Sequence, residues 1–235
     1  LPKLGYPTFE LELPSTGKTI KYRPFLVKEE KVLLMALESK DEKQVVSAVK
    51  DLIKNCVITR IKVDNLPSFD LEYLFLKIRG ASIGENIILT VTCLDDNETQ
   101  VEANININDV EIFKPEGHDK KIMFDENTGL VMKYPSMKEF VDREFLQKEM
   151  KTEDVYEFIA DSIDQIFDSE EVYDSSTTTK KEFRTFVDSL TTKQFEKIQK
   201  FYETSPKLSH TFKVTNPKTN KESSYTIEGL QSFFA

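Results

Sequence analysis

Ile20–Ser39, IKYRPFLVKEEKVLLMALES, is the stretch around which the rest of the chain is most simply arranged. It opens as a short strand over Ile20–Phe25, ended by Pro24, which has no N–H to give to a ladder. Val27–Ser39 then reads as a helix. Its segment VLLMAL, Val32–Leu37, is apolar on nearly every side, where a surface helix carries one stripe. The pattern therefore predicts a central core helix packed on several faces. Lys28, Glu29, Glu30 and Lys31 form a solvated first turn, with the glutamates favoured at the helix N-terminus. No catalytic group lies in it.

Before this stretch, FELEL (Phe9–Leu13) alternates apolar and acidic residues as a half-buried strand does, and Pro14–Lys18 turns it into a hairpin with Thr19–Phe25. After it, Asp41 caps a second helix carrying Val45, Val46, Val49, Leu52, Ile53, Cys56 and Val57 at helical spacing. A third follows the Asn65-Leu66-Pro67-Ser68 break, with Leu71, Leu74, Phe75 and Ile78 on one face and an end near Arg79-Gly80. Residues 86–134 read as a β-rich block. Ile87–Cys93 and Thr99–Ile107 flank a polar turn, Val110–Phe113 extends the second of these or starts another strand, and Lys121–Phe124 and Leu130–Lys133 flank DENTG.

Beyond Tyr134-Pro135 the pattern turns helical. Ser136-Met137-Lys138-Glu139 has the form of a capping box. A helix opening at Thr152 would place Val155, Phe158, Ile159, Ile163, Ile166 and Phe167 on one face. Two more carry Phe183, Phe186, Val187 and Leu190, then Phe195, Ile198, Phe201 and Tyr202. His210–Val214 and Ser223–Ile227 form a terminal hairpin, and Gly229–Phe234 a short apolar helix. The expected fold class is α+β. Residues 1–134 would be an N-terminal α+β domain with a β-rich second half. Residues 135–235 would be a mainly helical C-terminal domain ending in a hairpin.

Composition narrows the function. A net charge of −9 and a pI near 5.0 argue against a nucleic-acid binder, which needs a basic stripe. Seventeen Phe and no Trp favour core packing or a dry protein contact, because Phe has no polar handle. Two cysteines, Cys56 and Cys93, make neither a disulfide framework nor a metal cluster. The start, LPKLGYPTFELELP, lacks the apolar stretch of a signal peptide, and no run approaches the ~18 apolar residues of a membrane span. A reducing cytosol is the expected setting.

Chemical motifs are scarce. Thr16-Gly17-Lys18-Thr19 imitates the end of a P-loop, but Glu12 stands where the motif needs glycine and a strand follows where a helix should. His118 and His210 sit in no metal-ligand spacing. The acidic pairs Asp95-Asp96, Asp161 with Asp164, and Asp168 with Glu170 and Glu171 read as solvated faces. Cys93 with His118 is the one thiol–imidazole pairing available, and a thiol-dependent hydrolase built on it is the enzymatic alternative. One structural outline stands apart. Thr92-Cys93-Leu94-Asp95 and its turn resemble half of a zinc ribbon lacking its second cysteine, and the hairpin around Asn216-Pro217 has a similar outline with none.

GKTIKYRPFLVKEEKVLLMALES, KNCV, FDLEYLFLKIRGASIGE and the closing IEGLQSFF together resemble the baseplate proteins of T4-type contractile-tailed bacteriophages. The likeness spans most of the chain and is most specific between Gly17 and Cys93. It implies a baseplate hub subunit or a factor promoting hub assembly, located in the host cytoplasm during assembly or, as a retained subunit, in the virion tail baseplate, and possessing no catalytic residues or cofactor. Its partners would be other hub or tail proteins or a second copy, with no nucleic acid and no membrane. A variant of this reading makes it a transient chaperone absent from the finished virion. Contact residues are then expected among exposed aromatics and arginines, the usual anchors of interfaces. The candidates are Tyr22, Arg23 and Phe25 before the central helix, Arg79 after the third, and Phe233 and Phe234 at the end.

Overall fold

In the computed structural model, residues 5–136, 152–229 and 232 are described. The chain forms two compact units, Leu1–Phe113 with Lys207–Ala235, and Lys114–Pro206. The first begins with the hairpin β1 (Phe9–Glu12) and β2 (Thr19–Tyr22). Gly17, at φ +68°, takes the left-handed turn position and donates its N–H to the Leu13 carbonyl, so the P-loop look-alike is a hairpin turn. Helices α1 (Val27–Ser39), α2 (Glu42–Cys56) and α3 (Ser68–Ile83) follow, with the Asp41 side chain accepting the N–H groups of Lys43 and Gln44 at the start of α2.

The central helix is α3, and the expectation placing α1 there is corrected. Phe69, Asp70, Leu71, Leu74, Phe75, Leu76, Ile78 and Gly80 are buried on all sides of α3. Its first turn holds the β1–β2 loop, since Asp70 accepts the N–H of Ser15 at 3.0 Å and its hydroxyl as well. Near its end, Ser82 Oγ accepts the N–H of Phe25 at 2.9 Å. Leu76 enters a core with Ile87, Leu89, Ala103, Ile105, Ile107, Val110, Leu208 and Val214. That core is built from β3 (Asn86–Thr92) and β4 (Gln100–Asn106), and from a three-stranded sheet. The latter has the order β11 (Glu222–Glu228), β10 (Lys207–Thr215), β5 (Glu111–Phe113). By contrast α1 packs on α2 and buries only Glu29, Leu33 and Ala36.

The second unit is a four-stranded antiparallel sheet in sequence order, β6 (Lys121–Met123), β7 (Gly129–Met132), β8 (Ile163–Phe167) and β9 (Val172–Asp174). With it go α4 (Thr152–Asp161), α5 (Lys180–Asp188) and α6 (Thr192–Glu203). Leu130, Met132, Ile159, Ile163, Phe183, Val187, Ile198 and Phe201 form the core. Capping boxes at Thr179/Glu182 and Thr191/Gln194 start α5 and α6.

This sheet corrects two expectations. The helix from Thr152 ends at Asp161, and Ile163–Phe167 is a strand because it pairs with Gly129–Met132. A mostly helical C-terminal part therefore holds only in part, and a cut after residue 134 would divide this sheet. The terminal hairpin returns to the first unit, where Leu208 pairs with Ile112. The capping box at 136–139 falls on residues of which 137–139 lie outside those described, as does most of the expected helix over 229–234.

Candidate functional site

The β2–α1 junction is fixed by a buried ion pair. Arg23 donates from Nη2 to Glu29 Oε1 at 2.8 Å and from Nη1 to Oε2 at 3.1 Å, a bidentate fork. The same guanidinium reaches the carbonyls of Pro24 (2.8 Å) and Asn55 (2.9 Å) and lies 5.3 Å over the Tyr6 ring. Glu29 Oε2 also accepts the N–H of Leu26 at 2.5 Å, closing the first turn of α1. Burial pushes the Glu29 pKa up, but the bonds from Arg23 and Leu26 outweigh it and hold the carboxyl below its ordinary range. Beside them burial raises the Cys56 thiol to about 11.

This anchoring turns one face of α1 inward and leaves the other bare. Positions 27, 31, 34, 35 and 38 run along one side of a helix of this pitch. They carry Val27 (81% exposed), Lys31, Leu34 (52%), Met35 (60%) and Glu38. Val32, also exposed, lies beside Met35, and Leu26 and Ile83 add two more exposed apolar side chains. The Phe25–Ser82 hydrogen bond sets their chain neighbours together at the head of α1. Exposed apolar side chains gathered on one helix face mark an interaction surface more often than a scatter of single residues does.

The residues singled out as anchors lie elsewhere. Tyr22, Arg23 and Phe25 are buried, so the expectation of exposed anchors there is corrected; Tyr22 stacks on Phe9 at 5.6 Å, and burial raises its phenol pKa. They serve the junction that aims α1. Arg79 sits inside α3 rather than after it. Burial lowers its pKa, and its Nη1 is buried without a hydrogen-bond partner among the described residues. Phe233 and Phe234 lie outside the described residues. The signal for α1 was present in VLLMAL, where apolar character on two faces can serve the core on one side and a partner on the other.

Cys93 and His118 belong to different units, and each is engaged locally. Cys93 is buried, and burial followed by the charges of Asp95 and Asp96 raises its pKa. His118 bonds Thr204 through Nδ1 and Tyr134 through Nε2, both at 2.9 Å, and stacks with Tyr134 and Phe201. Burial lowers its pKa. A cleft of the second unit between Asp161 and the Ser175–Thr179 loop contains neither cysteine nor histidine, and Asp161 there pairs with Lys180 at 2.8 Å. Among the described residues no group of three His, Cys, Asp or Glu side chains is placed to hold a metal ion. No helix among them is long and apolar enough to cross a membrane.

No curated protein and no solved structure gives a match to this chain. A family model does, over nearly its whole length. The match covers residues 6–235, and by it the chain belongs to the T4 bacteriophage base plate protein family.

Proposed function

We propose that the chain is a non-enzymatic component of baseplate hub assembly, acting in the host cytoplasm by protein–protein contact through the outer face of α1. The observation that carries this reading is the bare apolar strip Val27–Leu34–Met35 on a helix whose inner face is already fixed by Arg23 and Glu29. Family membership supplies the class of occupant, another phage tail protein with an apolar groove or helix face to complement it. Lys31 and Glu38 on the same strip would fix register against charges at the rim. A nucleophilic thiol needs a lowered pKa, whereas burial raises both Cys56 and Cys93, so thiol hydrolysis draws no support from either.

Mass spectrometry of purified phage particles, run beside a pull-down from infected cells, tests the reading. Capture of hub proteins together with fixed stoichiometry in particles identifies a resident subunit. The same capture with absence from particles identifies a transient chaperone. A second copy of the chain as the sole partner, or no tail protein captured at all, refutes it.

A further inference from the structure

Two of the described arginines that the fold draws out of water take a counter-charge with them. Arg23 is forked on Glu29, and Arg184 bonds Glu153 and Asp188. Arg79 of α3 has none. It is half-buried and makes no hydrogen bond, ion pair or ring contact among the described residues, and its Nη1 is shut off from solvent with nothing to bond. Burial lowers its pKa, and no carboxylate acts against that effect. Phe75 and Leu76, four and three residues back on the same face of α3, belong to the core beneath its stem. A guanidinium partly withdrawn from water without a partner costs stability. In a chain with 41 acidic residues, carboxylates to offset it are plentiful, and the fold brings none to it.

The place of Arg79 in the fold indicates what completes it. Ser82 and Ile83 stand three and four residues further along α3, on the same face as Arg79. Ser82 Oγ accepts the Phe25 N–H at 2.9 Å, which brings the head of α1 to this face, and Ile83 is exposed there. Arg79 therefore borders the apolar ground formed by Leu26, Val27 and Ile83. A protein segment that covers the apolar part and carries a carboxylate at its edge complements both features together. A free anion would leave the apolar part bare.

We propose that the segment received by α1 is an acidic–apolar stretch of another tail protein, and that one of its Asp or Glu side chains forms an ion pair with Arg79. The inference rests on the proposed function for where the partner sits, and it adds the charge that the partner must carry there. Docking would enclose the pair, which turns a charge the folded chain leaves unmet into an anchor for the partner.

The test uses the full chain as bait in infected-cell lysate, as wild type, Arg79→Met and Arg79→Lys, with captured tail proteins identified by mass spectrometry. Arg79→Met keeps the apolar stem and removes the charge. By itself this variant should have a Tm no lower than the wild type, because it loses an uncompensated charge. Its capture of the tail protein should nevertheless weaken about tenfold, the worth of a hydrogen bond to a charged group. In Arg79→Lys, a water-soluble carbodiimide should join position 79 to an Asp or Glu of the captured protein, a link that a guanidinium does not form. Undiminished capture by Arg79→Met, or no carbodiimide link from position 79 to the tail protein, overturns this inference and leaves docking on α1 standing. A clearly lower Tm in Arg79→Met overturns it too, since the charge would then serve the fold. If the wild type captures no tail protein, the docking reading itself is refuted, and this inference with it.

Discussion

Replacing Arg23 by Met removes both fork bonds to Glu29 and leaves that carboxylate, its side chain 5% exposed, with the Leu26 N–H. The carbonyls of Pro24 and Asn55 lose a donor at the same time. Breaking a buried pair by removing one partner costs ~3–5 kcal/mol. For a chain of this length that lowers Tm by roughly 10 °C, at about 2–4 °C per kcal/mol. Glu29→Leu should cost ~3 kcal/mol by the same argument, the low end of the range because Arg23 keeps two carbonyl partners. In the double variant the uncompensated charge disappears. Three backbone groups stay orphaned at about 1 kcal/mol each, so the double should cost ~3 kcal/mol rather than the sum of the singles. Urea unfolding followed by circular dichroism measures the cycle, and hydrogen exchange at β2 and α1 localises the loss. Additivity within about 0.5 kcal/mol, or an Arg23→Met cost below about 1 kcal/mol, would show that the two side chains are not a coupled buried pair. The pH dependence has a definite sign. Glu29 is held below its ordinary value of 4.5, so its contribution is fully present above that pH and is lost as pH falls through the depressed value. In Arg23→Met burial prevails, and the acid limb of stability should move to higher pH.

Two other outcomes follow from the same structure. A Cβ on Gly129 would meet the Ile122 carbonyl at 2.5 Å and Phe167 Cζ at 2.7 Å, so Gly129→Ala should destabilise the second unit by ~2 kcal/mol, read by its unfolding midpoint; a change below ~0.5 kcal/mol contradicts the packing. Asp64 is bonded by Lys50 and Lys54, which hold its pKa at about 2. An NMR titration should find its stabilisation complete above 3.8 and lost as pH falls through about 2; Lys50→Gln/Lys54→Gln should return the midpoint toward 3.8, and an unchanged midpoint would rule out the lysines as the cause.

Much of the fold was legible because local patterns carry it. Alternation in FELEL, IILTVTC and the terminal hairpin gave strands in the places the chain forms them, and Asp41 gave a true helix start. What failed depended on distant partners. Ile159, Ile163 and Ile166 continue a helical spacing as well as they start a strand, and only the pairing of Leu130 with Ile166 decides between them. The unit boundary carries no local signal, because β10 from the far end of the chain completes a sheet begun by β5. VLLMAL predicts a helix packed on several sides, yet burial depends on what covers a face, and α2 covers only one. The aromatic and arginine rule for interfaces picked Tyr22, Arg23 and Phe25, which the fold uses internally. Sequence character identified the family, and it put α1 in the core where the fold puts α3.

In the proposed function the bare face of α1 receives another baseplate protein. Leu34→Glu/Met35→Glu puts two charges on that face at exposed positions, where stability should change by no more than ~0.5 kcal/mol. The decisive measurement is a pull-down from infected cells with this variant beside the wild type, at matched folded concentration. The wild type should capture hub proteins and the variant should not. A folded variant that captures the same proteins in the same amount would contradict it.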